Sequence, residues 1–342
     1  MSILPIFIPH AGCPHQCVFC NQKTISGQKN PALQGAREQI NKWLQWLKPS
    51  VDNEAAFYGG SFTGLDAELQ KQLLSLTDEL IAQKIIGSVR LSTRPDYINP
   101  EALELLGKHG VKLVELGVQS LDNRVLAAAE RGHTAEQVEP AVVLLRQYGF
   151  KVGLQLMVGM PEQSFSSVKE TAAKVIKMRP DIARIYPLLV IKGTPLEKSF
   201  REGSFVPLSL EEAVEQSSYL YTAMESAGIK VIRIGLQPDE ELCSPGNIVA
   251  GPFHPAMGEL VKSRAIREQL TPEIAKLSAM EIRDVVLYCH PSLESKVRGQ
   301  KNANIAYWKK QYLLNTLEVR HTDAMCCQAE ALEKNFMQKL HN

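Results

Sequence analysis

Apolar and polar positions along this chain change period in a regular alternation. Short runs of apolar and β-branched residues at positions 3–8, 55–58, 88–92, 113–118, 152–158 and 182–189 predict strands. Between them, apolar residues recur every three to four positions over roughly 33–47, 67–82, 100–109, 135–148 and 165–178, which predicts helices. Six strands alternating strictly with helices imply an α/β fold with a parallel sheet and right-handed crossovers, and a partial (β/α)6 barrel fits that order.

In β/α barrels, reactive groups gather where strands end at their carboxyl termini. Every unusual polar or glycine-rich string of this chain falls at such a place: a cysteine loop after the first strand, Gly59-Gly60-Ser61 after the second, Ser92-Thr93-Arg94 after the third, Gln119-Ser120 after the fourth, Gly159-Met160-Pro161 after the fifth, and Tyr186 to Lys192 after the sixth. Beyond Gly235 the pattern changes to a stretch rich in Pro and Gly, so residues 1–235 are expected to form the core and 236–342 a small C-terminal α/β accessory domain. In that tail the pattern predicts strands at 285–289 and 317–321, a helix near 302–314 and a final helix from about Cys327.

The 342 residues suffice for a substantial core. Lys and Arg number 38 against 37 Asp and Glu, so the net charge of +1 argues against a strongly basic nucleic-acid binder while leaving room for a local basic face. The opening MSILPIFIPH lacks a basic n-region and a cleavage site and reads as a first strand, not an export signal. No run approaches the ~18 apolar residues of a membrane span. Of the seven cysteines, Cys243, Cys289, Cys326 and Cys327 are scattered, as in a reducing compartment, and the cytoplasm is the expected location.

The other three, Cys13, Cys17 and Cys20, sit in GCPHQCVFCNQ as a CxxxCxxC array. Three thiolates can hold a [4Fe–4S] cluster and leave one iron open, a position typically filled by the amino and carboxylate groups of S-adenosyl-L-methionine. Three cysteines with His10 or His15 also suit a closed zinc site, although structural zinc ligands more often come as two separated pairs and no second CxxC lies downstream. Phe19, next to the last of these cysteines, either lies against a cofactor or covers the metal site. Gly59 and Gly60 allow close backbone approach, either to a ligand or simply in a tight turn that Thr63 and Gly64 help to shape. Arg131, twelve residues beyond Gln119, can fold back over the rim and grip a carboxylate bidentately, or pair on the surface with Glu130 or Glu136. Asp122 has the position of an N-cap.

Taken together, CxxxCxxC, YGGSFTGL, LSTRPDYI, VELGVQSLDNRVL…RGHT, LMVGMP and ARIYPLLVIKGTPL resemble the radical S-adenosylmethionine superfamily, and within it the radical domain of the elongator catalytic subunit family, which modifies the wobble uridine of tRNA. The likeness spans about residues 3–236. It implies that Cys13, Cys17 and Cys20 bind the cluster, that Gly59, Gly60 and Ser61 lie by the methionine end of the cofactor, and that Ser92, Gln119, Arg131 and Gln155 are cofactor contacts. Tyr186 and Lys192 fall in the elongator-like string as candidates to face the substrate. Two positions depart: Ser92 stands where relatives tend to carry Glu, and Gln155 where the porphyrinogen-oxidising group carries Asp. The cysteine spacing is also more compact than in elongator proteins. About 100 residues follow Leu236 without a recognisable acyl-CoA loop, so the acetyl transfer of elongator proteins is not expected.

The implied chemistry is reductive cleavage of S-adenosylmethionine to a 5′-deoxyadenosyl radical that abstracts hydrogen from a substrate, with a flavodoxin or ferredoxin as electron donor and tRNA as the first substrate class. A looser likeness to oxygen-independent coproporphyrinogen oxidases gives a second enzymatic reading, and a non-catalytic carrier of a cluster or tetrapyrrole gives a third. In the tail, Lys296, Arg298, Lys301, Lys309 and Lys310 interleave with Tyr307 and Trp308, either as an RNA-contacting surface or as a solvated helix face. His254 and Glu259, in GPFHPAMGELVKSRA, read as structural.

Overall fold

A computed structural model describes residues 2–26, 31–238, 240–325 and 327–332. Cys326 and the chain beyond 332 lie outside the described residues. The chain divides into two compact units, at Pro255/Ala256.

Among the described residues, the first unit is built on seven parallel strands in the order β1-β2-β3-β4-β5-β6-β8: β1 (Ile3–Phe7), β2 (Glu54–Tyr58), β3 (Ser88–Thr93), β4 (Val111–Gln119), β5 (Lys151–Val158), β6 (Ile182–Pro187) and β8 (Lys230–Ile234). The sheet curls into a half-barrel. The expected six become seven because KVIRI, short and flanked by helix, forms β8 beside β6. The helices are α1 (Gln22–Ser26), α2 (Ala32–Leu44), α3 (Ala67–Ala82), α4 (Pro100–Lys108), α5 (Asn123–Ala128), α6 (Val138–Gln147), α7 (Phe165–Met178), α8 (Pro195–Arg201) and α9 (Leu210–Ser226). Several start at sequence-encoded caps: Asp66, Asn99, Asp122, Ser164, Thr194 and Ser209 each accept a backbone N–H of the first turn, which satisfies donors a helix start leaves unpaired.

The expected sixth strand over 182–189 ends early, at Pro187, and the chain turns into β7 (Val190–Ile191), which pairs antiparallel with β9 (Ile248–Ala250). Leu242 is fully buried against Leu189 and Ile191. Residues 236–255 are therefore packed into the first unit, and the division falls about twenty residues beyond the change of pattern at Gly235.

Side chains alternate across the sheet. On one face, Ala55, Phe57, Leu91, Val114, Leu116, Leu154, Leu156 and Ile185 are buried to 0–1 % exposure, which at ~25 cal/mol per Å² is the main stabilising term. The opposite face carries Tyr58, Arg90, Ser92, Glu115, Gln155, Arg184 and Tyr186, and these meet one another.

The second unit has a mixed sheet, β11-β10-β12, from β10 (Asp284–Cys289), β11 (Thr316–His321) and β12 (Cys327–Ala331). Its helices are α10 (Met257–Ala279), α11 (Glu294–Arg298) and α12 (Ala303–Gln311). The helix expected from Cys327 is instead β12, paired antiparallel with β10 in register Cys289↔Cys327; pairing to an open sheet edge outweighs the local helical pattern of that segment. Trp308 is fully buried in this unit's core with Leu270, Ile274, Val285 and Leu287, and its indole N–H donates to Thr271 Oγ1 at 3.0 Å. It is packing, not part of a stacking surface. No described helix is long and apolar enough to cross a membrane.

Candidate active site

The cysteine loop leaves β1 and is fastened to the sheet's carboxyl rim by its own backbone. Ile8 N–H donates to Tyr58 O at 2.8 Å, His10 N–H to Gly59 O at 2.9 Å, and Ser61 N–H to Ala11 O at 2.9 Å. This explains Gly60: a Cβ there would lie 2.3 Å from Ala11 O and 2.7 Å from Ile8 O. The glycine admits the cysteine loop's own backbone. Gly59 turns at φ +88°, a conformation that glycine adopts without a Cβ penalty. Ser61 is 1 % exposed; its Oγ shares a hydrogen bond with Thr93 Oγ1 at 3.0 Å and accepts the Arg94 N–H at 3.3 Å. Thr63 reaches the same Thr93 hydroxyl at 2.6 Å. The string after the second strand thus ties that rim position to the one after the third.

Further along, Val18 N–H donates to Ala129 O at 3.2 Å and Val18 O accepts Leu196 N–H at 2.8 Å, so the stretch between Cys17 and Cys20 is held between the end of α5 and the start of α8. Asn21 Nδ2 donates to Lys192 O at 2.8 Å. Lys192 is exposed, and its main chain anchors the loop. Phe19 packs with Val18 and Met157 against Met160, Leu188 and Val190, a hydrophobic backing for the loop.

Cys17 is buried, Cys20 half-buried and Cys13 exposed. Arg131 is 8 % exposed; its Nη1 donates to Cys17 Sγ at 3.1 Å and its Nη2 to Gly117 O at 2.5 Å. Arg94, chelated by Asp96 at 2.9 and 2.8 Å, donates to Arg131 O at 2.5 Å and holds it in place. Arg131 is therefore no surface residue, and Glu136 bonds Asn123 instead. Burial and the neighbouring Cys17 push the Cys20 thiol up to about 12, against the opposing Gln22 amide, which donates to Cys20 Sγ at 3.4 Å. Cys13, exposed as a residue but with its sulfur crowded by the loop, is raised by that desolvation and by Cys17, opposed by Arg131 and Arg94. The Cys13 and Cys20 thiols thus resist ionising until a metal supplies compensating charge.

His10 is engaged in the loop, its Nε2 accepting the Gln22 N–H at 2.9 Å. Among the described residues, no three His, Cys, Asp or Glu side chains converge as ligands of one ion. A cluster presents separate irons to separate thiolates, so its ligands need not converge on a point. The donor set, all sulfur and faced by buried guanidinium, fits an iron–sulfur cluster better than a closed Cys3His zinc site.

Beside Arg131, Gln119 is 8 % exposed, takes φ +65°, and its buried Oε1 has no hydrogen-bond partner among the described residues. The Arg131 Nε is likewise unpartnered. Buried polar atoms without partners are rare in native folds, and two of them at the cysteine rim fit a site built for a polar ligand. A non-glycine residue held at positive φ is a further mark of a constrained site.

The inner sheet face also carries a charged network. Glu115, 1 % exposed, accepts from Arg184 Nη2 at 3.0 Å and from Gln155 Nε2 at 3.4 Å, forms an ion pair with Arg184 at 2.5 Å, and lies 3.8 Å from Arg90, which also pairs with Glu54. Gln155 Nε2 also donates to Ser92 Oγ at 3.1 Å. Arg184 donates to Tyr58 OH at 2.7 Å and to Tyr186 OH at 3.2 Å, with its guanidinium 5.0 Å above the Tyr58 ring. Burial, with Glu115 adding to it against Arg184, raises Tyr58 to about 12 and keeps it a neutral phenol. Ser92, Gln155 and Tyr186 therefore share one network below the rim, Gln119 and Arg131 stand at the cysteines, and Lys192 is exposed with its carbonyl bonded by Asn21. The signal for the network was present in the sequence: Arg90 and Ser92, Glu115 and Gly117, and Arg184 and Tyr186 each recur at the strand period of two.

The chain is similar to known proteins in family and fold. The Radical SAM superfamily profile matches residues 7–175, and the Radical_SAM C-terminal domain matches 180–267. A tRNA uridine(34) acetyltransferase from Methanocaldococcus infernus is 30% identical over 265 residues, 66% of this chain and 50% of that protein. Elongator complex protein 3 from Homo sapiens is 28% identical over 258 residues, 60% of this chain and 46% of the relative. The structure of Elp3 from the archaeon Methanocaldococcus infernus, lacking its N-terminus, superposes with a TM-score of 0.62 at 29% identity, covering 78% of this chain and 63% of that one. The chain spans about half the length of the curated relatives it matches.

Proposed function

The chain belongs to the radical S-adenosylmethionine superfamily and is an enzyme, and from that premise we propose that it is a radical S-adenosylmethionine enzyme acting on an RNA base. Cys13, Cys17 and Cys20 would hold a [4Fe–4S] cluster, and S-adenosylmethionine would bind at its open iron. When bound and reduced by one electron from an external donor, the cluster would pass that electron to the sulfonium, releasing methionine and supplying a 5′-deoxyadenosyl radical able to take hydrogen from the substrate.

The chain's own part is to hold and shield. Arg131 places positive charge on Cys17 and keeps an unpartnered N–H toward the rim; Gln119 offers a buried carbonyl oxygen to a cationic or N–H group of the cofactor. Gln155, steadied by Ser92 and Glu115, presents a polar edge from β5. Val18 and Phe19 exclude water from the back of the loop. The observation that carries the reading is the contact of buried Arg131 with Cys17 beside the unpartnered Gln119. A tRNA uridine is the substrate proposed, supported by the names of the relatives that match; acetyl transfer is not proposed. A flavodoxin or ferredoxin is the proposed donor.

The test is anaerobic reconstitution with iron and sulfide, then incubation with S-adenosylmethionine and dithionite. The reading expects about four irons per chain and 5′-deoxyadenosine, with deuterium transferred into it from labelled tRNA. Stoichiometric zinc without nucleoside formation overturns the radical assignment; cleavage without deuterium transfer from tRNA overturns the substrate alone.

A further inference from the structure

In the second unit, positive charge is concentrated over one stretch of the chain. Between residues 295 and 317 the chain carries Lys296, Arg298, Lys301, Lys309 and Lys310 and no Asp or Glu. Arg298 pairs with Glu294 at 2.7 Å. Lys301, Lys309 and Lys310 are exposed and make no ion pair among the described residues.

The neighbouring surface is shaped. α12 turns Asn304 and Trp308 inward and leaves Tyr307 and Lys310, one turn apart, on its open face. Across from it, Arg267 of α10 lays its guanidinium 4.5 Å over the Tyr307 ring, and Tyr307 stays 38% exposed. At the head of the same two helices is a cavity of about 390 Å³ whose lining includes Ser263, Arg298, Lys301 and Asn302, with one carboxylate, Glu259, against two cations. Its floor is rigid: Asn304 Nδ2 donates to Ser263 O and Oγ at 3.0 Å and to the Lys296 and Val297 carbonyls at 3.1 and 3.2 Å. Gly299, at φ +70°, keeps that floor open, since a Cβ would sit 3.0 Å from Ser263 Oγ. From Asn302 to Tyr307 is ~7.5 Å along the helix, the reach of a nucleotide from phosphate to base.

We propose that the α10–α12 face binds a single-stranded nucleic-acid segment, a phosphate seated in the cavity between Arg298 and Lys301 and the adjoining base stacked on the Arg267–Tyr307 pair. Exposed cations supply the sequence-independent attraction, and an exposed aromatic ring with a guanidinium already stacked on it is a platform for any base. The proposal rests on the RNA-directed reading of the enzyme and deepens it. The matched family regions end at residue 267, so most of this surface lies beyond them.

The experiment uses full-length holoenzyme prepared anaerobically and a fluorescein-labelled oligouridylate, with binding followed by anisotropy over a salt series. Tyr307→Ala and Arg267→Ala are each expected to weaken binding about tenfold, Tyr307→Trp to preserve it, and the pair Lys301→Glu with Lys310→Glu to reduce the salt slope by about two. Lys276→Glu, at the far end of α10, should leave binding unchanged. Formation of 5′-deoxyadenosine without RNA should be the same in all five proteins, which separates this proposal from the radical reading. The proposal is overturned by a wild-type protein that cleaves S-adenosylmethionine yet does not bind the oligomer. It is equally overturned by binding indifferent to Tyr307, or by heparin or anionic vesicles binding as tightly as RNA, either of which reduces the face to a polyanion patch.

Discussion

The half-barrel and the second unit dispose of charge in opposite ways. Inside the half-barrel, Glu115, Arg184, Arg90 and Arg94 are nearly or fully buried, and each is held by named partners. In the second unit the buried set among the described residues holds no charged residue and is apolar but for Ser263 and Asn304, and the lysines of α12 stand in water. Removing a charge from water is costly unless it is paired, so buried ions are kept where geometry must be exact about a small ligand. Surface ions contribute little to stability and are free to serve a large, polyanionic partner. Under the two proposals, the half-barrel would hold the small ligand and the second unit the polyanion.

The largest effect expected of any single change is at the cysteines. Cys17→Ala should abolish iron loading and nucleoside formation while leaving far-ultraviolet circular dichroism intact; retained stoichiometric iron would break the comparison at its root. Next comes Glu115→Ala, which strands Arg184 and Arg90 in the interior and should destabilise the fold by about 3–5 kcal/mol in urea titration. Glu115→Gln should cost less, since it keeps an acceptor.

Gly60→Ala tests whether the glycine serves the loop. The clash with Ala11 and Ile8 carbonyls should cost about 1–3 kcal/mol and lower iron content, whereas an added methyl that only crowded a ligand would spare iron and raise the KM for S-adenosylmethionine. Smaller still is Asp122, whose carboxyl lies below the usual range chiefly because the Arg124 side chain donates to it. A depressed acid contributes stability above its unfolded pKa of about 3.9, lost as pH falls through the lower folded value. Asp122→Asn should therefore keep the cap and flatten that acid-side slope in thermal melts, while Asp122→Ala costs about 1 kcal/mol. The smallest effect belongs to the second unit: Lys309→Ala and Lys310→Ala should each stay within about 0.5 kcal/mol, and a larger loss would mean those lysines are structural after all.

Much of this was legible because it is local. The CxxxCxxC spacing, the glycine pair and the Asp122 cap involve residues close in sequence, and the strand–helix alternation follows from periodicity within short windows. β8 and α9 escaped because KVIRI is short and the helix before it has a weak apolar stripe. β12 escaped because a strand pairing across the unit decides it. Trp308 shows the converse: a suggestive string offered it to a stacking surface, and packing placed it in a core.

By itself, then, the sequence determined which thiols lie on one loop, the type of fold and the end of the sheet at which unusual residues collect, since these depend on spacing and on the handedness of L-residue backbones. Tertiary structure alone decided that Arg131 reaches back 114 residues to Cys17, that Glu115 on one strand neutralises Arg184 on another, and that Arg267 covers Tyr307. Such contacts carry no local signature, because they join residues far apart in the chain and form only when the burial of apolar faces closes the distances between them.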